Sequence, residues 1–162
     1  MDGVAAPVAI ALGSNLGDRD ATLHAAIAAL HPFVHNLRVS SFHETAYVGS
    51  GAGGIEAGSV AQPPVLNGAV VGETTMAAHP LLERLLEIEQ QFGRTRPYGG
   101  APRTLDLDLI LYGESIIDEP GLVVPHPRFR ERRFVLEPLA EIAPEWRDPL
   151  TGKTIKELLR NL

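Results

Sequence analysis

The chain contains no cysteine. That excludes a disulfide framework and any thiolate-ligated metal centre. It is almost without lysine as well, since Lys153 and Lys156 are the only lysines among 14 basic residues. No apolar run approaches the roughly 20 residues needed to cross a bilayer. The opening MDGVAAPVAIALGSN has an acid where a secretory signal needs basic residues, so a cytoplasmic protein with no membrane partner is expected. A formal net charge of −6 argues against a general nucleic-acid binder. The phosphate-loop pattern G-x-x-x-x-G-K-[ST] is absent, and so is any histidine-based metal motif.

What is present is the composition of an ordinary globular protein: 162 residues, 44% hydrophobic and 21% charged. That length suits one domain over 1–162 with a real core. Periodicity predicts a buried strand over 8–12, a helix after Asp18 or Asp20 carrying Leu23, Ile27 and Leu30, and a half-buried strand over 37–45. A further strand is predicted over 65–74, followed by a helix opened by Pro80 with Leu81, Leu85, Ile88 and Phe92 on one stripe. Short helical pieces are expected around 128–143. A last helix begins near Thr154, where Thr154 and Glu157 fit a capping box and Ile155, Leu158, Leu159 and Leu162 form its buried face. The Gly-rich stretch at 49–62 reads as a mobile loop, and 93–101 as a second irregular loop whose Gly-rich end at 97–101 is expected to be mobile too. The order β-α-β-β-α-β with extra C-terminal helix matches an α+β, ferredoxin-like sandwich, its sheet mostly antiparallel and its helices on one face.

One segment is hard to explain as core alone. PRTLDLDLILYG, residues 102–113, sets Asp106 and Asp108 within a run of leucine and isoleucine. Strand periodicity puts Leu105, Leu107, Leu109 and Leu111 on one face and both acids on the other. Two neighbouring carboxylates repel unless a cation lies between them, and a hard ion such as Mg²⁺ suits them. The alternative is a solvent-facing strand with two ordinary acids. Seven arginines, at 94, 96, 103, 128, 130, 132 and 133, fall within 40 residues around this strand, which favours a local site for an anion such as phosphate. Glu89 is either part of that site or a surface acid. Gly13-Ser14-Asn15-Leu16-Gly17 reads as a turn and cap. His126 lies between two prolines beside the arginines, whereas His24, His31 and His35 read as solvated.

Taken together, ALGSNLG at 11–17, Leu66-Asn67, Gly93-Arg94, PRTLDLD at 102–108 and VPHP at 124–127 resemble the 6-hydroxymethyl-7,8-dihydropterin pyrophosphokinases, over nearly the whole chain and in the same order. The resemblance implies transfer of pyrophosphate from ATP to 6-hydroxymethyl-7,8-dihydropterin, with release of AMP, in folate biosynthesis. It implies two Mg²⁺ ions on Asp106 and Asp108, with Arg94 and Arg103 clamping the transferring phosphates. Leu82, Glu89, Arg96, Leu109, His126 and Arg132 are then expected to contact ATP, and Thr45, Val48, Asn67 and Phe134 the pterin. The partners expected are these small molecules alone, with a monomer acting on them and no nucleic acid involved. The chain also departs from the family's pattern. Pro97 replaces a lysine, a tryptophan before the PRT run is missing, and Val65 stands where an aromatic is usual, leaving Tyr47 or Tyr98 as substitutes. A Mg²⁺-dependent phosphodiesterase and a non-catalytic nucleotide sensor are the two rival readings.

Overall fold

A computed structural model describes residues 4–46, 64–92 and 105–162. The central strand β1 (Ala6–Ser14) is apolar at every position from Val8 to Leu12 and buried on both faces. It pairs antiparallel with β4 (Val65–Thr74) on one side and β5 (Asp106–Tyr112) on the other. Along the far edge of β4 lie β2 (His35–Val39) and then β3 (His43–Thr45), both antiparallel to it. The resulting order, β2/β3–β4–β1–β5, is the ferredoxin-like arrangement expected of the sequence. Where one strand over 37–45 is expected, two short ones occur. Ser40 accounts for the break: its N–H donates to the Ala69 carbonyl while its hydroxyl oxygen accepts the Ala69 N–H, replacing a backbone partner.

Helix α1 (Arg19–Leu30) starts at Asp18, whose carboxylate accepts the Ala21 N–H at 3.1 Å. Pro80 sits in the first turn of α2 (Ala78–Gln91), where its missing N–H costs no helical bond. Leu23, Leu30, Leu81 and Leu85 of these helices pack on Ile10, Leu12, Leu107 and Leu109. The opposite face is covered too, contrary to the one-sided arrangement expected. There α3 (Arg133–Ile142) and α4 (Ile155–Arg160) bring Val135, Leu136, Leu139 and Ile155 onto Ala9, Ala69, Val71 and Leu111. The Thr154–Glu157 capping box is present, but Leu162 is 47% exposed rather than part of the buried face. The hairpin of β6 (Ile117–Glu119) and β7 (Leu122–Val124) is absent from the expected elements. Its turn signal is nonetheless visible: Pro120 followed by Gly121 at φ +83° suits a type II turn.

One irregularity decides which side chains face which helices. Ile10 pairs with Leu109 and Ala9 with Leu111, so Ile110 is an extra residue, a β-bulge. The bulge breaks the expected all-leucine face. Leu105, Leu107 and Leu109 join the core beneath α1 and α2, while Leu111 joins the one beneath α3 and α4.

Candidate active site

The strand pairings lay out the face beneath α3 as three cross-strand rows. Asn67, Gly13 and Asp106 form the first, and Ala69, Ala11 and Asp108 the second. Val71, Ala9 and Leu111 form the third, so the face grades from polar through small to apolar. The apolar row is core. The second row is largely core as well, since Ala69 and Ala11 are buried beneath α3 and α4; in the first, Gly13 leaves bare backbone between Asn67 and Asp106. Gly13 and Ser14 therefore end β1 rather than forming the turn and cap expected of them. A Cβ on Gly13 would meet Val65 Cγ1 at 3.4 Å and Asn67 Oδ1 at 3.5 Å, which places this bare backbone directly beside Asn67. Successive strands lie about 4.8 Å apart, so Asn67 and Asp106 sit about 10 Å from each other across it.

Asp106 and Asp108 are half-buried neighbours on this face, as their alternation requires. Between them the backbone is held from the other side of the sheet. Glu89, 4% exposed near the end of α2, accepts the Leu107 N–H at 2.7 Å. It is thus no surface acid: it fixes the strand carrying both aspartates. Leu82 and Leu109 lie on that same side, Leu109 in the core and Leu82 packed against it.

His126 follows the cis Val124–Pro125 bond, and its N–H donates to the Ile110 carbonyl at 3.0 Å, which docks the segment onto β5. Burial pushes the imidazole pKa below its usual value. Asp108 opposes that, and Arg132 and Arg128 add to it. Asp108, Arg132 and Arg128 thus each lie within electrostatic reach of His126. His126 Nδ1 accepts the Arg128 N–H at 3.2 Å, which leaves Nε2 to carry the proton of a neutral ring. Arg132 caps α3 and lies over the ring of Phe134, 5.6 Å from its centroid.

At the other end of the first row, Asn67 is 4% exposed. Its Nδ2 donates to Thr45 Oγ1 at 2.8 Å, and lies 3.3 Å from the carbonyls of His43 and Val65. Three acceptors around one amide nitrogen fix which way the group is turned. Phe134 packs beside the core beneath α3.

The structure thus gathers Asp106, Asp108, His126 and Arg132 at one end of this face and Thr45 and Asn67 at the other. Val48, Arg94, Arg96 and Arg103 lie outside the described residues, as do Tyr47, Tyr98 and both Gly-rich stretches. Among the described residues no group of three or more His, Asp or Glu converges as a metal cage. Two half-buried carboxylates are the available donors. They fit Mg²⁺, which accepts one or two carboxylates and completes its shell with water and phosphate oxygen. The sequence pattern does not reveal the bare backbone at Gly13, nor the contacts of Ser41 and His43 with Glu141, which join residues about 100 positions apart.

Residues 9–144 match the sequence profile described as 7,8-dihydro-6-hydroxymethylpterin-pyrophosphokinase (HPPK). A Synechocystis 2-amino-4-hydroxy-6-hydroxymethyldihydropteridine pyrophosphokinase is 41% identical over 155 residues, 94% of this chain and 74% of that protein. The Bacillus subtilis protein of the same name is 45% identical over 135 residues, 82% of this chain and 75% of its own. Among solved structures, the Plasmodium falciparum HPPK-DHPS A437G protein superposes with a TM-score of 0.76 at 14% identity, which speaks to the fold alone. That match covers 99% of this chain and 46% of the other. Profile, relatives and fold agree, and the chain belongs to the HPPK family of pyrophosphokinases.

Proposed function

We propose that this protein transfers diphosphate from ATP to 6-hydroxymethyl-7,8-dihydropterin as one domain over 1–162, acting as a monomer in the cytoplasm. The observation that carries the reading is the first row of the sheet face, which sets the Asn67 amide about 10 Å from Asp106, with Asp108 beside it, across a floor of bare backbone at Gly13. Such a floor admits a flat heterocycle at the Asn67 end and phosphates at the Asp106 end. Asn67, with Thr45, Val48 and Phe134, binds the pterin. Its nitrogen is committed to protein acceptors, so the amide keeps a single orientation toward the heterocycle edge.

Asp106 and Asp108 are the residues that would hold two Mg²⁺ ions. Bound there, the ions would neutralise the charge that gathers on the phosphate oxygens. Glu89 keeps both carboxylates in place through Leu107, and Leu82 and Leu109 give α2 and β5 an apolar side toward the adenine. Arg96, His126 and Arg132 contact ATP, the neutral His126 donating its Nε2–H. Arg94 and Arg103 clamp the transferring phosphates. The pterin hydroxymethyl oxygen attacks the β-phosphorus and gives up its proton to solvent, the bond to the α–β bridging oxygen breaks, and AMP leaves with that oxygen.

The test is incubation with ATP, Mg²⁺ and the pterin, with AMP and pterin diphosphate quantified together. One AMP per pterin diphosphate is expected. AMP or ADP formed without pterin would favour a phosphodiesterase, and nucleotide binding without turnover would favour a sensor; either result overturns the reading.

A further inference from the structure

Strand β3 is three residues long, yet each of its side chains is tied to a different element. Thr45 accepts from Asn67 on β4. Glu44 pairs with Arg19 of α1 at 2.6 Å, and Arg19 also donates to the Pro64 carbonyl at 3.0 Å. His43 Nε2 meets Glu141 Oε2, near the end of α3, at 2.5 Å. The Glu141 carboxylate further accepts the Ser41 N–H at 2.8 Å and the Ser41 hydroxyl at 2.8 and 2.9 Å. Burial pulls the Glu141 pKa upward, but the hydrogen bonds from Ser41 and His43 outweigh it and hold the group below the usual glutamate value.

This is not a nucleophilic triad. One ring nitrogen, Nε2, meets both Ser41, at 3.2 Å, and Glu141, so it has no free lone pair to take the serine proton. The contact is a tether. An edge strand of three residues paired on one side depends on such side-chain ties, and this is the one that joins it to α3. The partner residue is well placed on that helix. Glu141 and Phe134 are seven residues apart on α3, two turns, and so share nearly one side of the helix.

Building on the proposed function, we propose that His43 and Glu141 are positioning residues for the pterin: their contact sets the gap between α3, which carries Phe134, and the β3–β4 pair, which carries Thr45 and Asn67. Neither residue touches the phosphates or the acidic pair. Their loss therefore acts on one substrate only.

Steady-state kinetics on the full chain tests this. His43→Ala and Glu141→Gln are expected to raise the pterin KM about tenfold, the worth of one charge-assisted hydrogen bond, with ATP KM and kcat at saturating pterin within about twofold of wild type. His43→Gln, whose amide N–H can still reach Glu141, restores most of the pterin KM. The control is His79→Ala, which removes a similar 2.5 Å contact, to Glu119, at the end of α2 away from Glu89; it leaves pterin KM unchanged. An active wild type whose His43→Ala and Glu141→Gln variants keep the wild-type pterin KM overturns the inference alone. So does a parallel loss in both KM values and kcat that His43→Gln fails to rescue, the mark of a merely loosened fold. A wild type that forms no AMP overturns the functional reading, and the inference with it.

Discussion

In the proposed reaction, two aspartates, one amide and one bare backbone position carry most of the chemistry. Asp106→Asn or Asp108→Asn is expected to lower turnover roughly 100-fold or more, since transfer of this kind depends on placed charge. Without metal the melting temperature should hold or rise slightly, because removing one carboxylate relieves repulsion between neighbours on the strand. Near-normal AMP release by either variant would remove the pair from the mechanism. At the pterin end, Phe134→Ala should weaken heterocycle binding by about 1–3 kcal/mol, the range for stacking a flat base on an aromatic. Val65→Tyr, which restores the aromatic usual in the family, should tighten it by less than about tenfold. Titration calorimetry with an ATP analogue present measures both. The acidic pair was legible in the sequence because two carboxylates in an apolar run have no role in a core. The hold of Glu89 on the strand was not, since nothing in a helical sequence says that its carboxylate reaches a backbone N–H 18 positions away.

Elements read well where local chemistry marks their ends, as at Asp18, Thr154 and the full span of β4. They read badly where the decisive contact is remote. The bulge at Ile110 leaves no mark on a period-two pattern, which therefore puts Leu111 on the wrong face. The side on which α3 and α4 pack was likewise hidden, because an apolar helix stripe does not say which sheet face it will cover. Glycines on neighbouring strands separate packing from function. A Cβ on Gly72 would approach Val34 Cγ1 to 2.6 Å and the His35 carbonyl to 2.7 Å, and backbone cannot give way cheaply. Gly72→Ala should cost about 1–3 kcal/mol, lowering the melting temperature by several degrees. Gly13→Ala meets only ordinary contacts and should melt near wild type, while its methyl roughens the floor and weakens ligand binding. Calorimetric scans beside binding titrations of the two variants check this opposite pairing.

Across the whole molecule, the segment joining α3 to α4 is organised by one buried acid. Asp148, with no side-chain exposure, pairs with Arg130 at 2.5 and 2.9 Å and also accepts from Thr151 and the Leu150 N–H. Burial raises its pKa, but the bonds from Arg130, Thr151 and Leu150 prevail and hold it below the ordinary value. A depressed carboxylate stabilises the fold fully above its unfolded pKa, about 3.9 for aspartate, and that contribution is lost as pH falls through the folded value. Urea unfolding from pH 7 downward should therefore show a loss of stability below about pH 4 that is smaller in Asp148→Asn. At pH 7 the same variant should be less stable by roughly 2–3 kcal/mol, toward the low end for a broken buried pair because Arg130 keeps some water. An unchanged acid limb would mean that other carboxylates govern acid unfolding.

The placement of Asp106 and Asp108 has a consequence before any substrate arrives. A strand that docks one residue out of step turns every side chain to the opposite face. For β5 that would drive both carboxylates under α1 and α2, among Leu12, Leu23 and Leu85, where an unpaired charge is very costly. The acids thus serve as a registration mark, making the wrong alignment of an otherwise leucine-rich and slippery strand prohibitive while the chain folds. Leucine at both places would leave two nearly equivalent alignments and erase the mark, so the residues proposed to bind metal in the finished protein also help to ensure that it is finished correctly.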